Sequence, residues 1–346
     1  MNDYRSLLEE KQILIADGAW GTELAARGLA VGEAPERWNL DRAEQVREVA
    51  EAYVRAGADI ILTNSFGGNC FKLRQASLGH AVTEINRSAA QLSRDAAGDD
   101  ALVFGSVGPT GQFLEPLGSL TVVDAVACFA EQIAALAAGG ADAILIETQT
   151  DLGEAKAALT AAREQTELPV VVSMTFDQGA RGYATMMGVS PRQAAEELTA
   201  AGADIVGANC GGGIEQIIEV IALMRPVTEL PLWAKPNAGL PELVGGKTVF
   251  RQGPEEMASH FAQLVQAGAT IVGGCCGTTP EHIVRLVAVR DRQCEMGSAR
   301  WVRRDGYGEM GMARWVWRKC IVEMNQTGMA ASMYTRALAR ARPLPR

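Results

Sequence analysis

The sequence is short of several things that whole functional classes need. Histidine occurs three times in 346 residues, and aromatic residues make up 5% of the chain. His80, His260 and His282 each fall in or beside a stretch of helical pattern. That argues against the histidine and carboxylate ligand sets that hydrolytic zinc enzymes prefer. Scarce aromatics leave little for sugar-stacking platforms or for an aromatic cage around a quaternary ammonium. Positive charge is also lacking: the formal net charge of −9 excludes the basic field of a nucleic-acid surface. No apolar run approaches the roughly 20 residues of a membrane span. The opening MNDYRSLLEEKQILIADG has no basic start, apolar stretch and small-residue cleavage site. A cytoplasmic location is expected. Seven cysteines, an odd number widely scattered, do not make a secreted disulfide framework. In a reducing compartment they are core fillers, metal ligands or nucleophiles.

What is present is alternation. Short apolar, β-branched runs occupy 13–17, 59–66, 101–108, 142–148, 170–176, 204–210, 232–237 and 270–276. Helical patterns lie between them, among them 43–56, 122–138, 154–165 and 255–267, with a last one at 281–289 opened by Thr279 and Pro280. Nearly continuous hydrophobic strands separated by helices imply a parallel sheet covered on its faces. The strings RAGADIIL, GGADAILIE, AAGADIVGAN and QAGATIVGGC repeat one junction: helix end, glycine stop, buried strand. Four recurrences among eight strands favour a single closed (β/α)8 TIM barrel, class α/β, over an open doubly wound sheet.

The barrel is expected to fill residues 1–292, and 293–346 to form a C-terminal extension. Residues 297–346 carry ten Lys and Arg against three Asp and Glu, a net of +7 where the remainder is −16. The tetrapeptide ARWV appears there twice, at 299–302 and 313–316. This basic segment reads as a peripheral tail, disordered or partly helical and laid against the barrel. The alternative is a dock for an acidic partner or another subunit.

Active sites of such barrels lie at the C-terminal ends of the strands. Those ends carry Asp17 and Gly18, Asn64 and Ser65, the GPTG of 108–111, Glu147 and Thr148, Cys210, Asn237, and Cys275 with Cys276. Cys210 ends strand six and the Cys275–Cys276 pair ends strand eight, on one side of the barrel mouth. Adjacent residues of a regular strand face opposite ways, so the glycines at 273, 274 and 277 are needed to turn both sulfurs toward one metal. Three thiolates and a vacant tetrahedral position describe a catalytic zinc site. Small buried hydrophobes or a vicinal disulfide remain the alternatives; Cys70, Cys128, Cys294 and Cys320 are read as such core fillers. A thiolate-rich zinc would hold an exogenous thiol as a nucleophile, which points to alkyl transfer onto sulfur. Asp17 and Glu147 each end a strand that otherwise lacks charge, in IADGAWGTE and ILIETQTD. They suit the binding of an ammonium group, or the capping of the turns that follow.

Together DGAWGTEL, PERWNL, ILTNSFGGN, GSVGPTG, ILIETQTDLGEAKAAL, NCGGG, KPNAGLP and GGCCGTTPEHI resemble the homocysteine S-methyltransferase family. They are most similar to the homocysteine-binding first module of cobalamin-dependent methionine synthase. Betaine– and S-methylmethionine–homocysteine methyltransferases are more distant. The likeness runs from about residue 13 to 289. It implies zinc on Cys210, Cys275 and Cys276, and the amino and carboxylate ends of homocysteine on Asp17, Gly18 and Glu147. By the same likeness Asn237 lends an oxygen to zinc when substrate is absent, and Asn64 and Ser65 line the mouth. Trp20 departs from the smaller or unbranched residue usual in DGAMGT-like motifs. No folate- or cobalamin-binding module follows the barrel, so methionine formation is expected to use methylcobalamin or a methylcorrinoid on a separate molecule or protein. S-methylmethionine or betaine as donor, and a corrinoid-linked demethylase of a small methylated substrate, are the other readings. A non-catalytic homocysteine- or zinc-binding module within a complex is a further one.

Overall fold

A computed structural model describes residues 3–180, 182–244, 247–295, 299–304 and 314–319. Eight parallel strands form one sheet: β1 (Leu14–Ile15), β2 (Ile60–Leu62), β3 (Leu102–Val107), β4 (Ala143–Gln149), β5 (Val170–Met174), β6 (Ile205–Cys210), β7 (Leu232–Pro236) and β8 (Ile271–Val272). Their order is β1-β8-β7-β6-β5-β4-β3-β2. The last gap is spanned by a parallel bridge from Ala16 to Ile60, with Asp17 N donating to Ile60 O at 2.9 Å. The sheet thus closes into a (β/α)8 barrel, as the repeating junctions lead one to expect.

Strand side chains alternate between two apolar environments. Leu14, Ala16, Leu102, Phe104, Ala143 and Leu145 point into the barrel, where Phe104 stacks on Trp233 with ring centroids 5.9 Å apart. Ile15, Val103, Ile144 and Ile146 point outward into the larger core beneath the helices. Both faces are buried, which is why the strands read as unbroken hydrophobic runs. The four glycine stops, Gly57, Gly140, Gly202 and Gly268, all adopt the left-handed conformation. Gly207 answers a different need: a Cβ there would lie 2.0 Å from the Trp233 carbonyl oxygen on the adjacent strand.

The helix Tyr4–Lys11, capped by Asp3 accepting from Ser6 N, packs Tyr4, Leu7 and Leu8 on the interior cluster. It plugs the N-terminal end of the barrel and leaves the other end for chemistry. Among the described residues no helix is long and apolar enough to cross a membrane.

Four expectations are corrected. The helix expected over 255–267 is two, Pro254–Ser259 and Phe261–Ala267, parted at His260. Ser259 Oγ donates to Glu256 O at 2.7 Å, a local bond that competes with helix continuation. The second strand stops at Leu62 instead of 66, because Thr63 and Ser65 turn their hydroxyls onto each other at 2.6 Å. Cys70 and Cys128 are buried, but they are joined in a disulfide, not simple core fillers. Their helices, Cys70–Gln75 and Val122–Ala138, bring the Cα atoms to 5.6 Å, within bonding range. Cys320 and the Cys294 side chain lie outside the described residues.

The chain separates into two compact units, Met1–Arg290 and Asp291–Arg346. Within the second, Ala299–Arg304 and Arg314–Lys319 pair as antiparallel strands, with Trp301 opposite Trp317 and Val302 opposite Val316. This is the fourth correction, since disorder or partial helix was expected there. The alternating Trp, Val and Arg of the two ARWV copies suit a strand better than a helix.

Candidate metal and substrate site

Cys210 closes β6 with a φ of 66°, a left-handed conformation unusual for a side-chain-bearing residue. Gly211 and Gly213 continue the turn at positive φ. On the other side, Cys275 and Cys276 stand in a tight turn after β8. Cys275 N donates to Pro236 O at 2.7 Å, and Ala238 N donates to Cys276 O at 2.9 Å. Thr278 folds back, its Oγ1 donating to Cys275 O at 2.7 Å. Gly274 is required there, because a Cβ would lie 2.3 Å from Thr278 Oγ1. The turn thus brings both neighbouring sulfurs to one side. All three sulfurs lie within 4.8 Å of one another, with Cys210 and Cys276 at 3.9 Å. Tetrahedral zinc with Zn–S bonds of about 2.3 Å needs sulfurs about 3.8 Å apart, so the residues present fit that ion.

Electrostatics supports the fit. Hydrogen bonds from Cys275 and Cys276 bring the Cys210 thiol down to about 3, whereas its closeness to Cys210 pushes Cys275 up to about 11. Cys276 is driven upward too, first by Cys210 and then by Cys275. Three thiols this close ionise together only with a cation among them. Asn237 donates through Nδ2 to Gly211 O at 2.7 Å, while its Oδ1 is buried with no hydrogen-bond partner. Asn237 is within hydrogen-bonding reach of Cys210 and helps to lower that thiol, and its orphaned Oδ1 is an acceptor still in want of a partner.

The carboxylates end neighbouring parts of the same mouth. Asp17 is fully buried and salt-bridged to Lys235, Oδ1 to Nζ 2.6 Å. Its Oδ2 accepts from Leu62 N at 2.7 Å and from Trp20 Nε1 at 2.8 Å. The indole that departs from the family pattern therefore ties down a carboxylate. Burial lowers the Lys235 pKa, but attraction to Asp17 and Glu147 outweighs it, leaving it above the ordinary value. Glu147 Oε1 accepts from Ser106 Oγ at 2.5 Å. Burial pushes its carboxyl from 4.5 up to about 7, against the pull of Lys235.

The Glu147 shift makes a pH prediction. The folded chain holds the Glu147 proton more tightly than the unfolded chain, so the stability is complete below about 4.5 and is lost as pH rises toward 7. The loss is on the order of 3 kcal/mol. Glu147→Gln cannot titrate, so in zinc-free protein the variant's advantage over wild type should widen between about pH 5 and about pH 7.5 in urea denaturation. A gap that stays constant across that range would refute the assignment.

Gly18 lies against the cysteine turn: a Cβ would come within 2.8 Å of both Thr278 Oγ1 and Tyr53 Oη. Asn64 and Ser65 do stand near the mouth, but their hydrogen bonds are made within the protein. Asn64 Nδ2 donates to Pro35 O and Asn39 Oδ1, at 2.8 and 2.9 Å. Ser65 Oγ donates to Ser106 O at 2.7 Å, supporting the serine that holds Glu147. Two buried polar residues of this region escaped sequence reasoning. Lys235 is one. Asn209 is the other: its Oδ1 accepts from Thr148 N and Ser173 Oγ, and its Nδ2 faces Cys275 Sγ at 3.9 Å. Both are polar residues inside buried strands, which is the signal that marks them. No histidine joins the sulfur cluster; buried His282 instead sits with Nδ1 by Thr279 and Nε2 by Gln252 O.

A family model described as Homocysteine S-methyltransferase matches residues 14–289. Methionine synthase of Mycobacterium leprae is 29% identical over 306 residues, covering 83% of this chain and 25% of its own length. That of Mycobacterium tuberculosis is 29% identical over 296 residues, covering 80% and 24%. The chain thus spans about a quarter of these curated relatives. The homocysteine methyltransferase MmuM from Escherichia coli, in its oxidized form, superposes with a TM-score of 0.71 at 26% identity, over 83% of this chain and 99% of that one. Its metallated form gives 0.70 over the same shares, also at 26% identity. With the family match over most of its length, the chain belongs to the homocysteine S-methyltransferase family.

Proposed function

We propose that Cys210, Cys275 and Cys276 hold zinc and that this chain methylates the thiol of L-homocysteine to form methionine, with a methylcorrinoid on a separate molecule or protein as donor. The observation that carries the reading is the cluster of three sulfurs within 4.8 Å at the C-terminal mouth of the barrel. A zinc ion held by three thiolates acidifies an incoming thiol yet leaves its sulfur nucleophilic. Around it the chain's own residues orient the amino acid. Asp17, Gly18 and Glu147 would receive its amino and carboxylate ends, and Asn237 would be the residue able to lend the metal an oxygen in place of the thiol. Methyl transfer forms a bond from the homocysteine sulfur to the methyl carbon, and the donor keeps the electron pair of the bond that breaks.

The methionine synthase relatives support the choice of donor. Against betaine, Trp233 is buried on Phe104 in the barrel interior, and Tyr183 donates to Glu219 at 3.1 Å. Trp233, buried in that stack, is not free to wall a cage for a quaternary ammonium. The test is methionine formation by reduced, zinc-loaded protein given homocysteine with methylcobalamin, S-methylmethionine or betaine in turn. Product is expected from methylcobalamin. Product from S-methylmethionine alone would overturn the donor, and failure to bind homocysteine in calorimetry would overturn the acceptor, as a demethylase would require.

A further inference from the structure

The described cysteines are in two states: Cys210, Cys275 and Cys276 are free, and Cys70 and Cys128 are joined. The free cluster, with two sulfurs only 3.9 Å apart, needs surroundings that keep thiols reduced. A disulfide that thiols can reach undergoes exchange in such surroundings. Cys70 and Cys128 line a surface groove of about 460 Å³ along with Arg74 and Gln112, which gives a small thiol a path to the bond. Both ends of the bond lead on to the barrel mouth. Cys70 directly follows buried Asn69, whose Oδ1 accepts from Phe71 N and Lys72 N and whose Nδ2 donates to Pro109 O at 3.2 Å. One turn beyond Cys128, buried Gln132 donates through Nε2 to Ser65 O at 2.7 Å. Gly68 lies so near that a Cβ there would come within 2.9 Å of the same Nε2. Ser65 Oγ donates to Ser106 O, and Ser106 Oγ to Glu147 Oε1. The disulfide thus closes a ring through residues 65–69, Cys70, Cys128 and Gln132, and the ring fixes the loop after β2 against the loop after β3.

We propose that the Cys70–Cys128 pair is a thiol-exchange site, a strap whose closure holds the loops after β2 and β3 and so tightens the mouth on its amino-acid ligand. The reaction partner is a low-molecular-weight thiol or its disulfide. In opening, a thiolate attacks one sulfur of the pair, and the electron pair of the S–S bond leaves with the other sulfur, which takes up a proton. A second thiolate then attacks the mixed disulfide. The protein is reduced to two thiols, and the small molecule leaves oxidised to its own disulfide. Closing runs the same two steps in reverse. Leu73, Leu78, Val82 and Ile85 pack with both cysteines in one apolar cluster, which keeps the helices together when the bond is open. What opening removes is the covalent tie between Asn69 and Gln132. Binding must then order the two loops itself, and affinity falls. The effect on the ligand rests on the homocysteine reading above; the thiol exchange does not.

The test places the zinc-loaded chain and its double variant Cys70→Ser/Cys128→Ser in buffers of reduced and oxidised glutathione at graded ratios. Alkylation and mass spectrometry read the pair, hydrogen exchange reads the loops, and calorimetry reads the site. L-methionine, the expected product, is the ligand, because homocysteine would itself reduce the bond. The pair is expected to pass from disulfide to two thiols over ratios that leave the zinc content unchanged. Opening should speed amide exchange in residues 63–69 and 108–112 by about tenfold or more, with 205–210 unaltered. It should also weaken methionine binding by about threefold or more. The double variant should match the opened protein at every ratio. A pair that stays in one state while zinc is retained would overturn the proposal. So would loops and affinity indifferent to opening, or a double variant that responds to the ratio as wild type does. If the double variant does not fold, the two states of wild type decide by the same readings. Methionine bound in neither state would overturn the homocysteine reading and the tightening with it, while alkylation and amide exchange still judge the strap.

Discussion

Cys275→Ser is expected to strip the protein of stoichiometric zinc and to lower methionine formation by well over a hundredfold, given that changes merely next to a metal ligand cost about 10–100-fold. The replacement is close to isosteric, and the backbone of the turn has its own anchors: Cys275 N on Pro236 O, and Thr278 Oγ1 on Cys275 O. What changes is the ligand atom. A serine hydroxyl is not ionised at neutral pH and is a hard donor, so the site keeps two of its three thiolates and loses the grip that the third gives. Metal analysis of wild type and variant, purified side by side under reducing conditions, reads the first effect. The methionine assay reads the second. A variant with full zinc and near-normal turnover would remove the sulfur cluster from the mechanism.

Lys235→Met should reduce stability by about 3–5 kcal/mol, the usual cost of removing one partner from a buried ion pair. Both side chains are almost wholly sequestered, at 3% and 0% exposure, so Asp17 would be left as an unmatched anion inside the barrel. The pair itself need not be net stabilising, because desolvating two charges offsets most of their attraction. Lys235→Met/Asp17→Asn should accordingly regain most of the loss. Urea denaturation of the three proteins gives the comparison. Midpoints that coincide for wild type and Lys235→Met would mean that the ion pair does not form in solution.

How much of this was legible beforehand varied with the kind of signal. The four glycine-terminated junctions encode the barrel directly, since each needs a left-handed residue followed by a strand buried on both faces. The cysteine cluster was legible because the glycines on either side of 275 and 276 permit the tight turn that brings both sulfurs to one side. Lys235 was overlooked although its signal is local: it follows the inward-facing Trp233 by two residues, so strand periodicity sends it into the barrel. Charge in that position has to meet an opposite charge. The Cys70–Cys128 bond was not legible, for it joins helices 58 residues apart in the chain. Asn64 and Ser65 show a subtler gap. Strand ends can be located from pattern, but whether an amide or hydroxyl faces the opening or an inner network depends on the turn at Thr63, and pattern does not fix that.

The stacked Phe104 and Trp233, with the N-terminal helix behind them, have a bearing on traffic. A tube so filled has no rear exit. On the function proposed above, acceptor and methyl carrier would have to share one doorway, the smaller reactant entering before the bulky carrier and methionine leaving after it.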